Sequence, residues 1–274
     1  MNAHPALLVS VMLAPLVVAS AQDPSSAAGQ KGFRGGVHIS APRFAMQVVI
    51  GAPYSGEQVM ENDQSLADGT HIRHSTSMKV CRDSAGRVRA ESPLRSTNPE
   101  SQAALLMVHI SDPVAHALYV LDSVNKVAHR QELPVSPTPL RPRPVAPQDG
   151  DIATAGTPTA SQPPRSMGTP EIVDENLGTR SMEGLIVEGT RHTTIRPVGE
   201  MGNDHPMTEV DESWTSPELR LVVFRRRTGP LMGEQIDKLT NVGRSEPEAA
   251  LFQIPPDYTV VDEHGDFTLT WAGR

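Results

Sequence analysis

Ala67-Asp68-Gly69-Thr70-His71-Ile72-Arg73-His74-Ser75-Thr76-Ser77-Met78-Lys79-Val80-Cys81-Arg82-Asp83-Ser84-Ala85-Gly86-Arg87-Val88-Arg89-Ala90-Glu91-Ser92 is the stretch that decides the fold class. Asp68-Gly69 is a tight-turn signal, because both residues tolerate positive φ. Thr70 to Arg82 then alternates, with Ile72, His74, Met78 and Val80 on one side, as a strand requires. Asp83-Ser84-Ala85-Gly86 is the next turn, and Arg87 to Ser92 the next strand. Strands joined by turns this short can pair only antiparallel.

The same texture extends both ways. Upstream, Tyr54 to Asp63 reads as a strand. Downstream, Leu105 to Ser111 reads as a buried strand that Asp112-Pro113 breaks. Ala117 to Leu121 and Lys126 to Leu133 form a hairpin about Asp122-Ser123-Val124-Asn125. Leu185 to Arg196, Thr208 to Thr215, Leu219 to Arg227, Gly233 to Val242 and Tyr258 to Val261 are further strands. Pro247 to Phe252 is one helical turn with Pro at its start. Phe267, Leu269 and Trp271 alternate with Thr268 and Thr270, so the tail either adds an edge strand or stays mobile. No helical periodicity of useful length occurs. The expected class is mainly β: a curved antiparallel sheet or half-barrel with few short helices and a disordered proline-rich insertion.

That insertion spans 134–170 and holds ten of the chain's 25 prolines. Proline lacks a donor and fixes φ, so the segment is expected to be extended, solvated and free of sheet pairing. Residues 22–43, with Gly32, Gly35 and Gly36 close together, read as a flexible lead-in. The domain map is therefore a signal peptide (1–21), the lead-in (22–43), a first strand block (44–133), the insertion (134–170), a second block of the same β domain (171–263) and a tail (264–274).

The signal peptide rests on the apolar run Ala6 to Val18 followed by Ala19-Ser20-Ala21, the small-x-small pattern read by signal peptidase. Pro15 interrupts the run, and the run is too short to span a bilayer. An exported protein, periplasmic or extracellular, is expected, with no transmembrane segment after processing. The net charge of −8 gives no reason to expect nucleic acid as a partner. Cys81 is the lone cysteine, so no internal disulfide is expected. It reads as a small buried hydrophobe rather than a redox or nucleophilic thiol.

Chemistry-bearing patterns are weak. His71 and His74 fall on opposite faces of one strand, and His109, His116 and His129 are scattered. His205 lies in a loop after Asn203-Asp204. No metal-ligand spacing, Gly-x-Ser-x-Gly elbow or Asp-rich calcium loop occurs. Asp211-Glu212 and Asp262-Glu263 are neighbours that point to opposite faces, unlike a glycosidase pair. Asp83-Ser84-Ala85-Gly86 is turn chemistry. No catalytic residue, metal or cofactor is expected. Arg225-Arg226-Arg227 is the one dense basic run, either an anion contact or a solvated strand end.

Three stretches carry a resemblance. They are Leu177-Gly178-Thr179-Arg180-Ser181-Met182-Glu183-Gly184, then Ser213-Trp214-Thr215-Ser216-Pro217-Glu218-Leu219 with Val222-Val223-Phe224, and Leu251-Phe252-Gln253-Ile254-Pro255-Pro256-Asp257-Tyr258-Thr259-Val260. Together they resemble the closing half of the outer-membrane lipoprotein-sorting fold, the LolA-like and LppX-like half-barrels of exported bacterial proteins. Ser111-Asp112-Pro113 and Tyr119-Val120-Leu121-Asp122 are similar to its central hairpin. Uncharacterised exported proteins share this motif order. The resemblance implies a non-catalytic binding protein that holds an acyl chain or other apolar ligand on a concave face. Candidate lining residues are Met78, Val80, Leu106, Val108, Val120, Leu221, Val223 and Ile236, with Arg225, Arg226 and Arg227 at the rim for an anionic head group. The alternative is a structural or protein-interaction module whose sheet edge or proline segment meets another envelope protein.

Overall fold

The computed structural model describes residues 34–94, 105–143 and 169–272. The expected signal peptide and most of the proline-rich insertion lie outside these residues. The described chain is mainly β and its long ladders are antiparallel. It divides into two compact units that interleave in sequence. The two sequence blocks do not correspond to them, because Ala52–Val80 groups with Arg141–Ser245.

Unit 1 takes in residues up to Gly51, Cys81–Leu140 and the chain from Glu246 onward. Its main sheet contains β4 (Val88–Leu94), β5 (Leu105–Asp112), β6 (Ala117–Asp122), β7 (Val127–Glu132) and β13 (Thr259–Asp262). β13 joins β7 in parallel, the exception to an otherwise antiparallel meander. A separate ribbon pairs β1 (Arg34–Ile39) with β14 (Phe267–Ala272).

Both faces of the β5–β6–β7 sheet are covered by the unit's own chain. On one face Cys81, Val108, Ile110, Leu121 and Ala128 are buried with Phe252, from the 3-10 turn Ala249–Phe252. Ile254 and Tyr258 add to that cover. On the other face Met107 and Val120 are buried against Val37, Ile39 and Leu269 of the β1–β14 ribbon. Beside them Leu118 and Leu133 pack against Met46 and Val48.

Two expectations are corrected here. The lead-in is not flexible throughout, since β1 lies within it. Gly35 and Gly36 give it a weak strand signature, and pairing with the tail supplies the ladder that propensity does not. The insertion also begins with sheet-like pairing. Ser136 N donates to Met46 O at 2.9 Å and Leu140 N to Val48 O at 2.8 Å, while Pro134 O accepts from Met46 N at 2.7 Å. Proline carbonyls still accept, and the non-proline residues between them still donate.

Unit 2 consists of Ala52–Val80 and Arg141–Ser245. It contains β2 (Tyr54–Ser65), most of β3 (His71–Arg82), β8 (Glu171–Met182), β9 (Leu185–Arg196), β10 (Met207–Ser216), β11 (Leu221–Gly229) and β12 (Gly233–Gly243). The order is β3-β2-β12-β11-β10-β9-β8, and every ladder from β2 to β8 is antiparallel. β8 and β9 are joined through Glu183 and Gly184, both at positive φ (49° and 72°), the conformation that a two-residue hairpin turn needs. β8 is an unexpected strand. Asp174, Glu175, Asn176 and Gly178 all disfavour β structure. It is held by β9 and carries a bulge at Asn176/Gly178, where Gly178 has φ 77° and its N–H donates to Asn176 Oδ1 at 2.8 Å.

The apolar core of unit 2 gathers at one end of its strands. Leu185, Val187, Trp214, Leu219 and Val223 are each at most 6% exposed. The middles of the same strands are half-buried and charged.

Candidate functional site

The eleven candidate lining and rim residues do not form one surface. In unit 1, Val108 and Val120 are buried on opposite faces of the sheet. Leu106 is 39% exposed. In unit 2, Met78 and Val223 are buried, while Val80, Leu221 and Ile236 are half-buried. Register sets Arg226 beside Ile236 and Arg225 beside Asp237, so the arginine run is split between two faces. A single lining is therefore corrected: the pleat splits the arginine run, since residues one apart on a strand cannot share a face, and the β5–β6 register sets Val108 opposite Leu121 rather than Val120.

What the structure assembles instead is an ion-pair ladder across the middle of unit 2. Successive strands carry alternating acidic and basic doublets at matching heights: Asp174-Glu175 on β8, Arg191-His192 on β9, Asp211-Glu212 on β10 and Arg226-Arg227 on β11. Each doublet sends one member to each face. On the first face the register runs Glu175↔Arg191↔Glu212↔Arg226. Arg191 donates through Nη2 to Glu212 Oε2 at 3.1 Å and through Nη1 to Glu175 Oε2 at 3.4 Å. Arg226 donates through Nε to Glu234 on β12.

Glu212 is the hub of this face. Its Oε1 accepts the indole N–H of Trp214 at 2.7 Å. Partial burial is the largest single influence on the carboxyl and pushes its pKa up. The hydrogen bonds from Trp214 and Arg191 together outweigh burial and hold it below its ordinary value. Arg191 is raised in turn, first by its bond to Glu212. Trp214 is pressed against Gly189, and the Arg180 guanidinium lies 3.7 Å from its ring centroid.

The four charged residues of this row line an open groove of about 390 Å³. Thr193, Val210 and Thr228 line the adjoining row. On the second face Arg225 makes a two-pronged contact with Asp211. There Arg227 Nη2 lies 3.6 Å from Asp237 Oδ2. Burial raises the Asp237 carboxyl, despite the two arginines that oppose the shift. His192 pairs with Asp174 at 2.6 Å on this same face.

The other sequence candidates fall elsewhere. The Cys81 thiol is raised by burial, against the opposing influence of Arg89. His71 contacts Asp63 at 3.3 Å and Ser65 at 3.1 Å. In unit 1, His129 pairs with Glu263 at 2.7 Å and stacks on Phe267. His109 is 6% exposed, its Nε2 has no hydrogen-bond partner among the described residues, and burial lowers its pKa to about 4. In the Asp83–Gly86 turn, Ser84 donates through Oγ and N to Glu246, while Arg87 pairs with Asp83 at 2.6 Å.

Among the described residues, no group of three or more His, Cys, Asp or Glu is placed to hold a metal ion. No helix among them is long and apolar enough to cross a membrane. No protein-family model matches the chain, and no curated protein sequence matches it.

Proposed function

We propose that this chain is an exported, non-catalytic protein of the cell envelope that works by binding, and that its partner is protein rather than lipid. One observation carries the choice: both faces of the unit 1 sheet are packed by the unit's own β1–β14 ribbon, 3-10 turn and Met46–Ile50 segment. On that sheet the apolar side chains that an acyl chain would cover are covered already. The most developed surface feature of unit 2 is polar and charged, which suits a protein contact with complementary charge.

On this reading the likeness to lipoprotein-sorting carriers is one of motif order, and the acyl-chain ligand gives way to the interaction-module alternative. Export rests on the Ala19-Ser20-Ala21 pattern. Binding rather than turnover rests on the ladder's chemistry: Glu175, Glu212 and Arg191 satisfy one another, and the Glu212 carboxyl is held ionised rather than poised for proton transfer. Calorimetric titration of delipidated protein with fatty acids and phospholipids tests the reading. No saturable binding below about millimolar is expected, whereas one-to-one binding in the micromolar range or tighter would overturn it, since even a partly buried chain gains about 0.8 kcal/mol per methylene.

A further inference from the structure

We propose that the first face of unit 2 is a self-recognition surface, so that the protein partner is a second copy of this chain. The proposal rests on the binding reading above and adds the partner's identity. The row Glu175, Arg191, Glu212, Arg226 runs minus, plus, minus, plus across four adjacent strands. A sequence of signs that inverts when read backwards is self-complementary. Place two copies face to face about a twofold axis lying along the strands between β9 and β10. β8 then faces β11 of the second copy, and β9 faces β10. Each Glu175 meets an Arg226 and each Arg191 meets a Glu212, giving four opposite-sign contacts. The adjoining row obeys the same operation, since Thr193 meets Val210.

An isologous contact of this kind needs no further partner to close. The row also has charge to spare toward solvent. The side chains of Arg226, Arg191 and Glu175 are 52%, 38% and 32% exposed. Four strands about 4.8 Å apart and about eight residues long give roughly 500 Å² per copy. That is below the ~800 Å² per partner of a standard interface, so the dimer belongs to the weak class. Its attraction is between half-exposed charges, so it weakens with salt.

The test is sedimentation equilibrium of the full processed chain at about 100 μM, at low and at high ionic strength. Wild type is expected to populate a dimer at low salt and to lose most of it at high salt. Glu175→Arg and Arg226→Glu each create two like-sign contacts and should be monomeric. Mixed one to one, they restore every opposite-sign contact, and the dimer should return. A monomeric wild type at low salt, or a mixture no more associated than either variant alone, overturns the proposal. Should a charge reversal fail to fold, Thr193→Cys mixed with Val210→Cys under mild oxidation decides instead. A disulfide-linked heterodimer supports the face-to-face register, and its absence refutes it. A monomeric wild type that also ignores lipid removes this partner while leaving the protein-binding reading. Saturable lipid binding removes the reading itself.

Discussion

Replacing Gly189 by alanine should destabilise the protein, because the methyl group has nowhere to go. A Cβ built on Gly189 meets three atoms of the Trp214 six-membered ring at 2.6, 2.7 and 2.8 Å. That is about 0.7 Å inside the 3.4 Å at which ordinary contact begins. The ring cannot slide freely, since its N–H is bonded to Glu212 at 2.7 Å and Arg180 stacks on it. Overpacking of this kind costs about 1–3 kcal/mol. At about 2–4 °C per kcal/mol for a domain of this size, the midpoint should fall by roughly 2–12 °C. Thermal unfolding followed by circular dichroism measures this. The control is the same change in a Trp214→Leu background. That background is itself less stable, but the alanine penalty should vanish there or reverse, because alanine suits a strand better than glycine. A Gly189→Ala protein as stable as wild type, or a penalty that persists without the indole, would refute the reasoning.

Other outcomes follow from the same packing. Leu269→Ala should cost about 2–5 kcal/mol in chemical denaturation, since Leu269 closes the core over Met107 and Val120. Cys81→Ser should cost about 1–3 kcal/mol. The native thiol should resist alkylation until the protein unfolds, because burial disfavours the thiolate. His109 supplies a pH prediction. Its folded pKa is about 4 against 6.5 unfolded, so between these values the unfolded chain binds more protons. Stability is therefore full above about pH 6.5 and declines as pH falls toward 4, by at most ~3 kcal/mol. His109→Gln should flatten that limb in denaturant midpoints measured across pH 4–7. Amino-terminal sequencing of the exported protein should begin at Gln22 rather than Met1.

The strands that turns announce were legible. Asp68-Gly69, Asp83 to Gly86 and the Asp122–Asn125 turn delimit β2 to β7 within a residue or two, because turn chemistry and period-2 alternation are local. β1 and β8 are not legible, since each contains residues that disfavour strands: β1 is held by β14, far away in sequence, and β8 by β9 across a bulge. Faces were harder still. The sequence shows that Asp211 and Glu212 diverge, which the structure bears out as Asp211 to Arg225 and Glu212 to Arg191. It does not fix the register between strands, so it groups Val108 with Val120, although the β5–β6 ladder puts them on opposite faces of one sheet. The ladder did leave a signal: doublets Asp174-Glu175, Arg191-His192, Asp211-Glu212 and Arg226-Arg227 alternate between acidic and basic. Reading them together needs the hairpin order of β8 to β11, and β8 was the strand not foreseen.

The central claim is that the protein's own chain, not a lipid, covers the apolar faces of the unit 1 sheet. Native mass spectrometry of the exported protein, purified without detergent, tests this most directly. The account predicts the mass of the processed polypeptide, alone or doubled, with no adduct. A stoichiometric adduct of fatty-acid or phospholipid mass that survives gentle activation would contradict it.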